Sequence, residues 1–321
     1  MRFKNSINTF RAIIIIAVIG LSTLAIIACG NSITATSNKN EAATQTDTNA
    51  AKSNDLKLIA DLHVSIKETS GLAILNGLLV THNDRGRANQ LMLMNPENAH
   101  IEQALTAVNF QNNDWEDLAK NDEFLFVGDI GNNEGERKNL AIYLIPLKEI
   151  KKSSFEVKSN GTINFYYPAQ KSFDVSKKHN YDCEAMFCFN NEIYLFTKNR
   201  LNDSTNLYSL PTQPGNYPAK LLGSFNSGGR ITGADISADG KKIALVGYNK
   251  KSDCFLWMIE GFTGDNFFKG KTKKYNLGPY DKLGQIEAVA FKNNTSLYLS
   301  SEEIANVPAR LYLFKLDDFN K

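Results

Sequence analysis

Beyond about residue 54 the apolar positions fall in short runs, rich in β-branched and aromatic residues and bounded by Asn, Gly and Asp. No long stretch repeats its apolar residues every three or four positions, so the pattern predicts strands rather than helices. The runs arrange themselves in sets of four. Gly71–Leu75, Leu78–Thr81, Gln90–Met94 and Ala104–Asn109 form the first set. Glu116–Ala119, Phe124–Val127, Ala141–Pro146 and Thr162–Tyr167 form the second. The third holds Ala185–Phe189, Ile193–Phe196, Leu207–Leu210 and Lys220–Phe225, and the fourth Ala234–Ser237, Ile243–Tyr248, Phe255–Ile259 and Lys273–Leu277. A fifth set, Ala288–Phe291, Leu297–Ser300 and Arg310–Leu316, lacks an outer strand.

A polar motif opens each set: Glu68-Thr-Ser-Gly-Leu72, Asp114-Trp-Glu-Asp-Leu118, Asp182-Cys-Glu-Ala-Met186, Thr232-Gly-Ala-Asp-Ile236 and Gln285-Ile-Glu-Ala-Val289. The copies lie about 45 to 70 residues apart, within reach of the longer β-repeat units. Four-stranded units repeated about a channel describe an all-β chain, a β-propeller of five blades. A sixth is admitted if the stretch from Phe155 to Lys178 hides another hairpin. The run Leu56–Val64 has no set of its own. It is expected to supply the missing outer strand, which closes the ring and covers an open edge.

The first residues read differently. Arg2, Lys4 and Arg11 precede an apolar run from Ala12 to Ile27, too short for an ordinary membrane span. Ile26-Ile27-Ala28-Cys29 resembles the bacterial lipobox, whose cysteine is lipidated and becomes the new N-terminus. Residues 1–28 are therefore expected to be a signal peptide and residues 29–54, rich in Ser, Thr, Asn and Ala, a tether. Residues 55–321 would form the propeller. The chain would sit in the bacterial cell envelope, held to the membrane by its lipid. No aspartate follows Cys29, which favours the outer membrane over the inner.

Composition removes some partners. Thirty-six Lys and Arg face 34 Asp and Glu, with no basic stripe, which excludes nucleic acid. Cys183, Cys188 and Cys254 are an odd set once Cys29 is assigned to lipid, and read as free thiols. A monomer is expected.

Strands one and two of a blade are antiparallel, so the start of one and the end of the other share a face of the disc. That face collects polar groups from every blade, whereas the opposite face receives ordinary turns such as Asn190-Asn191. Glu68, Glu116, Asp129, Asn132, Glu184 and Glu287 are candidate ligands for a hard cation, with calcium the expected ion. Arg85, Arg137, Lys198 and Arg200 are candidate anion-binding groups. His82 and Asp84 are candidate catalytic residues, His82 as a general base beside a metal-bound water. The same carboxylates could serve only as acceptors for neighbouring backbone amides.

Asp114-Trp-Glu-Asp-Leu-Ala119, followed by Phe126-Val-Gly-Asp-Ile-Gly-Asn-Asn133 and Arg137, resembles a signature of exported bacterial propellers. Ser70-Gly-Leu72 with Thr81-His-Asn-Asp84, Asp182–Met186 with Phe196-Thr-Lys198, and Thr232–Ile236 extend the likeness over the mature domain. The layout is similar to the phytase-like (esterase-like) and SdiA-regulated propeller families and, more remotely, to strictosidine-synthase-like proteins. The resemblance implies five to six blades and, in several relatives, calcium in the central funnel. It leaves two functional readings. One is a metal-dependent hydrolase of phosphoesters, esters or lactones. The other is a non-catalytic binding or structural lipoprotein with a structural cation, whose rim takes a small anion, a glycan or an envelope protein.

Overall fold

Asn and Gly at the hairpin tips set the strand punctuation. Asn76, Asn190 and Asn191 adopt φ of 51°, 50° and 60°, and Gly77 and Gly240 adopt 81° and 67°. These left-handed values suit tight β-hairpins, because their twist matches that of the flanking strands. The computed structural model describes residues 55–316. The expected signal peptide, Cys29 and the tether lie outside the described residues.

In chain order the strands are β1 (Leu56–Asp61), β2 (Thr69–Leu75), β3 (Leu78–Asn83), β4 (Gln90–Met94), β5 (Ile101–Ala107), β6 (Trp115–Lys120), β7 (Phe124–Asp129) and β8 (Leu140–Pro146). They continue as β9 (Glu156–Val157), β10 (Gly161–Tyr166), β11 (Cys183–Phe189), β12 (Glu192–Thr197), β13 (Thr205–Pro211), β14 (Gly215–Pro218) and β15 (Lys220–Phe225). The last are β16 (Arg230–Ile236), β17 (Lys242–Tyr248), β18 (Asp253–Glu260), β19 (Lys271–Pro279), β20 (Gln285–Asn293), β21 (Ser296–Glu302) and β22 (Arg310–Lys315).

Five sheets result, each a blade: β2-β3-β4-β5, β6-β7-β8-β10, β11-β12-β13-β15, β16-β17-β18-β19 and β20-β21-β22-β1. The innermost strands β2, β6, β11, β16 and β20 touch one another in a closed ring. The fold is the five-bladed β-propeller that the repeats predict. The stretch from Phe155 to Lys178 does not form a sixth blade. It gives β9, which adds parallel to β5 of blade 1, and β10, the fourth strand of blade 2. Closure by the N-terminal run is also observed, since β1 pairs antiparallel with β22 from Leu56 opposite Phe314 to Asp61 opposite Arg310.

The core is divided among the interfaces between blades. Val80, Leu91, Trp115 and Val127 fill the gap between blades 1 and 2, and Phe126, Ile142, Met186 and Leu195 the gap between 2 and 3. Phe187, Phe196, Leu245 and Trp257 lie between blades 3 and 4, and Val246, Leu256, Val289 and Leu299 between 4 and 5. Leu72, Leu79, Ala290 and Leu311 join blade 5 back to blade 1. Each blade thus buries both sheet faces against neighbours, which is why its inner strands are apolar on alternate and intervening positions alike. Cys183 and Cys254 are buried and Cys188 half-buried, all as free thiols.

Candidate functional site

The inner strands share a local irregularity. Pairing skips one residue between Trp115 and Asp117, between Cys183 and Ala185, between Ile231 and Gly233, and between Ile286 and Ala288. In β2 it skips Gly71 and Leu72. A bulge frees one residue from the ladder and re-aims its side chain. Here the freed residues are Glu116, Glu184, Thr232 and Glu287, all buried where the inner strands begin. In blade 4 the place of the glutamates is taken by Thr232, whose Oγ1 donates to the Ile286 carbonyl at 2.8 Å. Asp235 lies past the bulge and accepts from Phe291 N (2.7 Å) and Ile236 N (2.8 Å), clasping blade 4 to blade 5.

Asp117, one step beyond Glu116, does similar work nearer the axis. Its Oδ2 accepts from Met186 N at 2.8 Å and Ala234 N at 3.4 Å, and its Oδ1 from Leu118 N at 2.8 Å. One buried carboxyl so ties blades 2, 3 and 4 together. Asp117→Ala would leave these amides without acceptors, at a cost of about 2–4 kcal/mol after allowance for the relieved burial of charge. Urea unfolding measures it, and a variant within about 0.5 kcal/mol of the parent would refute the bracket.

The candidate ligands separate into groups. Asp84, Asp114 and Glu116 bring one oxygen each within 4.8 Å of one another. Asp114 Oδ1 and Glu116 Oε1 are buried and receive no hydrogen bond. Gly131 packs directly on both carboxylates, and a Cβ there would collide with them. Arg85 Nε approaches Asp114 Oδ1 to 3.6 Å with its side chain 57% exposed, and Arg137 Nη1 lies 4.0 Å from Asp114 Oδ2.

Glu184 and Glu287 stand at the same level but have company. Lys198 Nζ donates to Glu184 Oε2 at 2.7 Å, and Glu287 accepts from the Gln285 amide. Asp129 accepts from Asp114 N (2.9 Å), Asn113 Nδ2 (2.6 Å), Tyr143 OH (3.3 Å) and Arg137 Nη2 (2.8 Å). Asn132 accepts from Arg137 N and donates to the Tyr181 carbonyl. Both are spent on holding the β7–β8 loop. Glu68 is half-buried and held by Arg87 through Nε at 2.6 Å and Nη2 at 2.8 Å, close enough to Asp84 to raise the pKa of that carboxyl. His82 is fully buried, edge-on to Trp115, with Nδ1 at 3.0 Å from the Asn83 carbonyl and Nε2 against Gly71 without a partner. Burial lowers its pKa to about 4, which keeps the ring neutral.

The cationic groups are also engaged. Arg200 donates through Nε and Nη2 to Asp182 Oδ2 at 2.9 and 2.6 Å and to Asn133. Arg137 is bound to Asp129 and Lys198 to Glu184. Arg85 alone of the four presents an exposed guanidinium.

Negative charge outweighs positive. Asp84, Asp114, Glu116, Asp182, Glu184, Glu287 and Glu302 influence one another, against Lys198 and the three arginines. Burial and then neighbouring carboxylates push the Asp114 carboxyl up to about 7 and Glu116 well above its ordinary range. Burial raises Glu287 to about 7 and Glu184 well up, although Lys198 opposes both shifts. Asp84 is raised by burial too. Four members were not among the expected ligands: Asp84, expected as a catalytic residue, and Asp114, Asp182 and Glu302. Asp114 and Asp182 carried a signal as the acids that begin the motifs opening their blades. Glu302, raised by burial and by Glu287, is half-buried at the end of β21, opposite Gln285.

These raised values set a sign for pH. The folded protein holds protons on Asp114 and Glu287 that the unfolded chain releases near pH 4, so this contribution is full below pH 4 and lost as pH rises through about 7. With chelator present, Tm should fall between pH 5.5 and 8.5 by about 5 °C or more. A flat or rising profile in scanning calorimetry would contradict the arrangement.

No family model matches the chain, and no curated protein matches it. Among solved structures it is similar to a chain of Kuenenia stuttgartiensis hydrazine synthase, at 10% identity and a TM-score of 0.39, over 73% of this chain and 55% of that one. It thus spans about half the length of that chain. It is similar also to a chain of the mitotic checkpoint complex, at 12% identity and a TM-score of 0.39, over 75% of this chain and 74% of the other.

Proposed function

We propose that the chain is a lipid-anchored protein of the bacterial cell envelope, joined to the membrane through Cys29 and placed at the outer rather than the inner membrane. Its propeller binds a divalent hard cation of the calcium type through Asp84, Asp114 and Glu116, and uses that ion to hold a small anionic ligand. One observation carries the cation reading. In a mouth where nearly every polar atom is bonded, Asp114 Oδ1 and Glu116 Oε1 are buried without a hydrogen bond, in carboxylates that with Asp84 bring one oxygen each within 4.8 Å of one another. A group of this kind is costly unless a proton or a cation occupies the space between. Oxygen-only ligands in loose geometry suit calcium. The likeness of Asp114–Ala119 and Phe126–Asn133 to exported propellers with a funnel ion points the same way.

Three carboxylates leave coordination positions for water or a ligand oxygen, and Arg85 stands beside them as the exposed cation. A binding role fits best, because His82 is fully buried, with Nε2 packed against Gly71, and is held neutral. The open positions also support a second reading, a hydrolase of phosphoester, ester or lactone bonds acting through metal-bound water. Titrating the mature protein with calcium and magnesium, followed by melting, tests the first reading. A saturable rise in Tm supports it and no response to either ion overturns it. Calcium-dependent turnover of a phosphoester or lactone panel would select the second.

A further inference from the structure

The loop from β8 to β10 of blade 2, whose β9 adds to blade 1, has a composition that the mouth does not explain. It leaves β8 at Pro146, which lies opposite Phe124 and so on the face away from the carboxylates. Leu147 N donates to the Glu123 carbonyl at 2.8 Å on that same face. From there Lys148, Lys151, Lys152, Phe155 and Lys158 all project into solvent. Phe155 is 80% exposed, and Val108, on the neighbouring segment, 40%.

The loop is braced from within. Gln103 Nε2 donates to the carbonyls of Lys151 and Ser154 at 2.8 and 2.6 Å, Ile150 is buried, and Thr106 N donates to the Phe155 carbonyl at 2.9 Å. A fixed backbone therefore presents a phenyl ring outward on a segment that carries four exposed lysines against two exposed acids, Glu149 and Glu156. Exposing that ring to water gains nothing for the fold.

The position of the chain's entry gives the patch a meaning. β1 begins at Leu56, opposite Phe314 near the far end of β22, so the preceding residues join the propeller on the face away from the carboxylates. Blade 5, which holds β1, adjoins blade 1, against which the loop lies.

We propose that this loop docks the propeller on an anionic lipid surface, with Phe155 entering the interface and Lys148, Lys151, Lys152 and Lys158 facing lipid phosphates. The mouth would then point away from the membrane. A lysine near an anionic bilayer and a buried aromatic ring each add to binding, and together they complement a single lipid anchor. The inference takes from the proposed function only that a membrane is near.

The test uses the mature chain, residues 29–321, carrying Cys29→Ser so that no lipid contributes. It is mixed with vesicles of phosphatidylcholine alone or with phosphatidylglycerol, and bound protein is measured by sedimentation. Binding is expected only with phosphatidylglycerol, weakening with salt. Lys151→Glu with Lys152→Glu should reduce it about tenfold or more, and Phe155→Ser about fivefold. All variants should melt as the parent does. No binding to anionic vesicles, or equal binding by the variants, would overturn the proposal. So would concentration-dependent dimers in ultracentrifugation that Phe155→Ser abolishes, since the patch would then serve a second copy. Mass spectrometry of the chain purified from membranes reports separately on acylation of Cys29.

Discussion

Replacing Asp114 with Asn and Glu116 with Gln together should abolish the calcium-induced rise in Tm and, without calcium, make the protein more stable than its parent. The two halves of this expectation have one cause. In the metal-free protein, buried carboxylates crowd one space, and two of their oxygens lack donors. Neutral isosteres remove the repulsion and the desolvated charge, and such exchanges are often neutral or stabilising. With calcium the order reverses. Ion present at about a thousand times its Kd stabilises the parent by about 4 kcal/mol, or roughly 8–16 °C at this chain length. The variant, lacking two of three charged ligands, gains little. Glu68→Gln is the control, because Glu68 is not one of the three clustered carboxylates and is bound to Arg87, and its loss should leave the calcium response largely intact. If these carboxylates were merely acceptors for backbone amides, the double variant would be less stable than its parent with or without calcium. That outcome would end the cation reading.

The contrast between Glu116 and Asp129 shows where a sequence stops informing about a site. Both are acids near a strand end on the same face. The alternation of strands and the antiparallel order within a blade suffice to place them there, because these depend on periodicity and hairpin length alone. Whether each oxygen has a donor depends on loops folding back. Asn113 and Arg137 close around Asp129, whereas Gly131 brings only a bare Cα to Glu116 and Asp114. No local pattern encodes that difference. Bulges are a second blind spot. The motif Thr232-Gly-Ala-Asp-Ile236 does not reveal that Thr232 is the skipped residue, nor that Asp235 beyond it serves an inter-blade clasp. A single unpaired residue reverses the face of everything beyond it.

The four basic residues expected to hold an anion are changed most by this geometry. Lys198, Arg137 and Arg200 each satisfy an acid of their own mouth. Removing Lys198 would leave Glu184 buried without a counter-charge, so a lost affinity in such a variant would report on the fold as much as on a ligand. Arg85 is the member whose replacement reads ligand binding cleanly, being exposed and 3.6 Å from Asp114.

Deleting the strand that closes the ring should cost more than any change in the mouth. A chain begun at Leu62 lacks β1, and with it the ladder to β22 and the pairing of Arg310 Nε with Asp61 Oδ1 at 3.0 Å. Leu311, Tyr312 and Phe314, now buried, would lie on an open edge. The loss is also cooperative, since blade 5 fills the gap on both sides of itself and a propeller has no stable half-closed form. We expect a loss of about 5 kcal/mol or more, comparable with the whole stability of an ordinary domain, and aggregation on expression. A permuted chain supplies the decisive control. Moving residues 55–64 behind residue 316 through a short linker restores the same fourth strand from the other end. That chain should recover a cooperative melt and the calcium response. If the truncated protein stays soluble with an unchanged melt, β1 is ornament and the closure argument fails. If the permuted chain fails where the parent folds, the contribution of residues 55–64 lies outside the strand pairing described here.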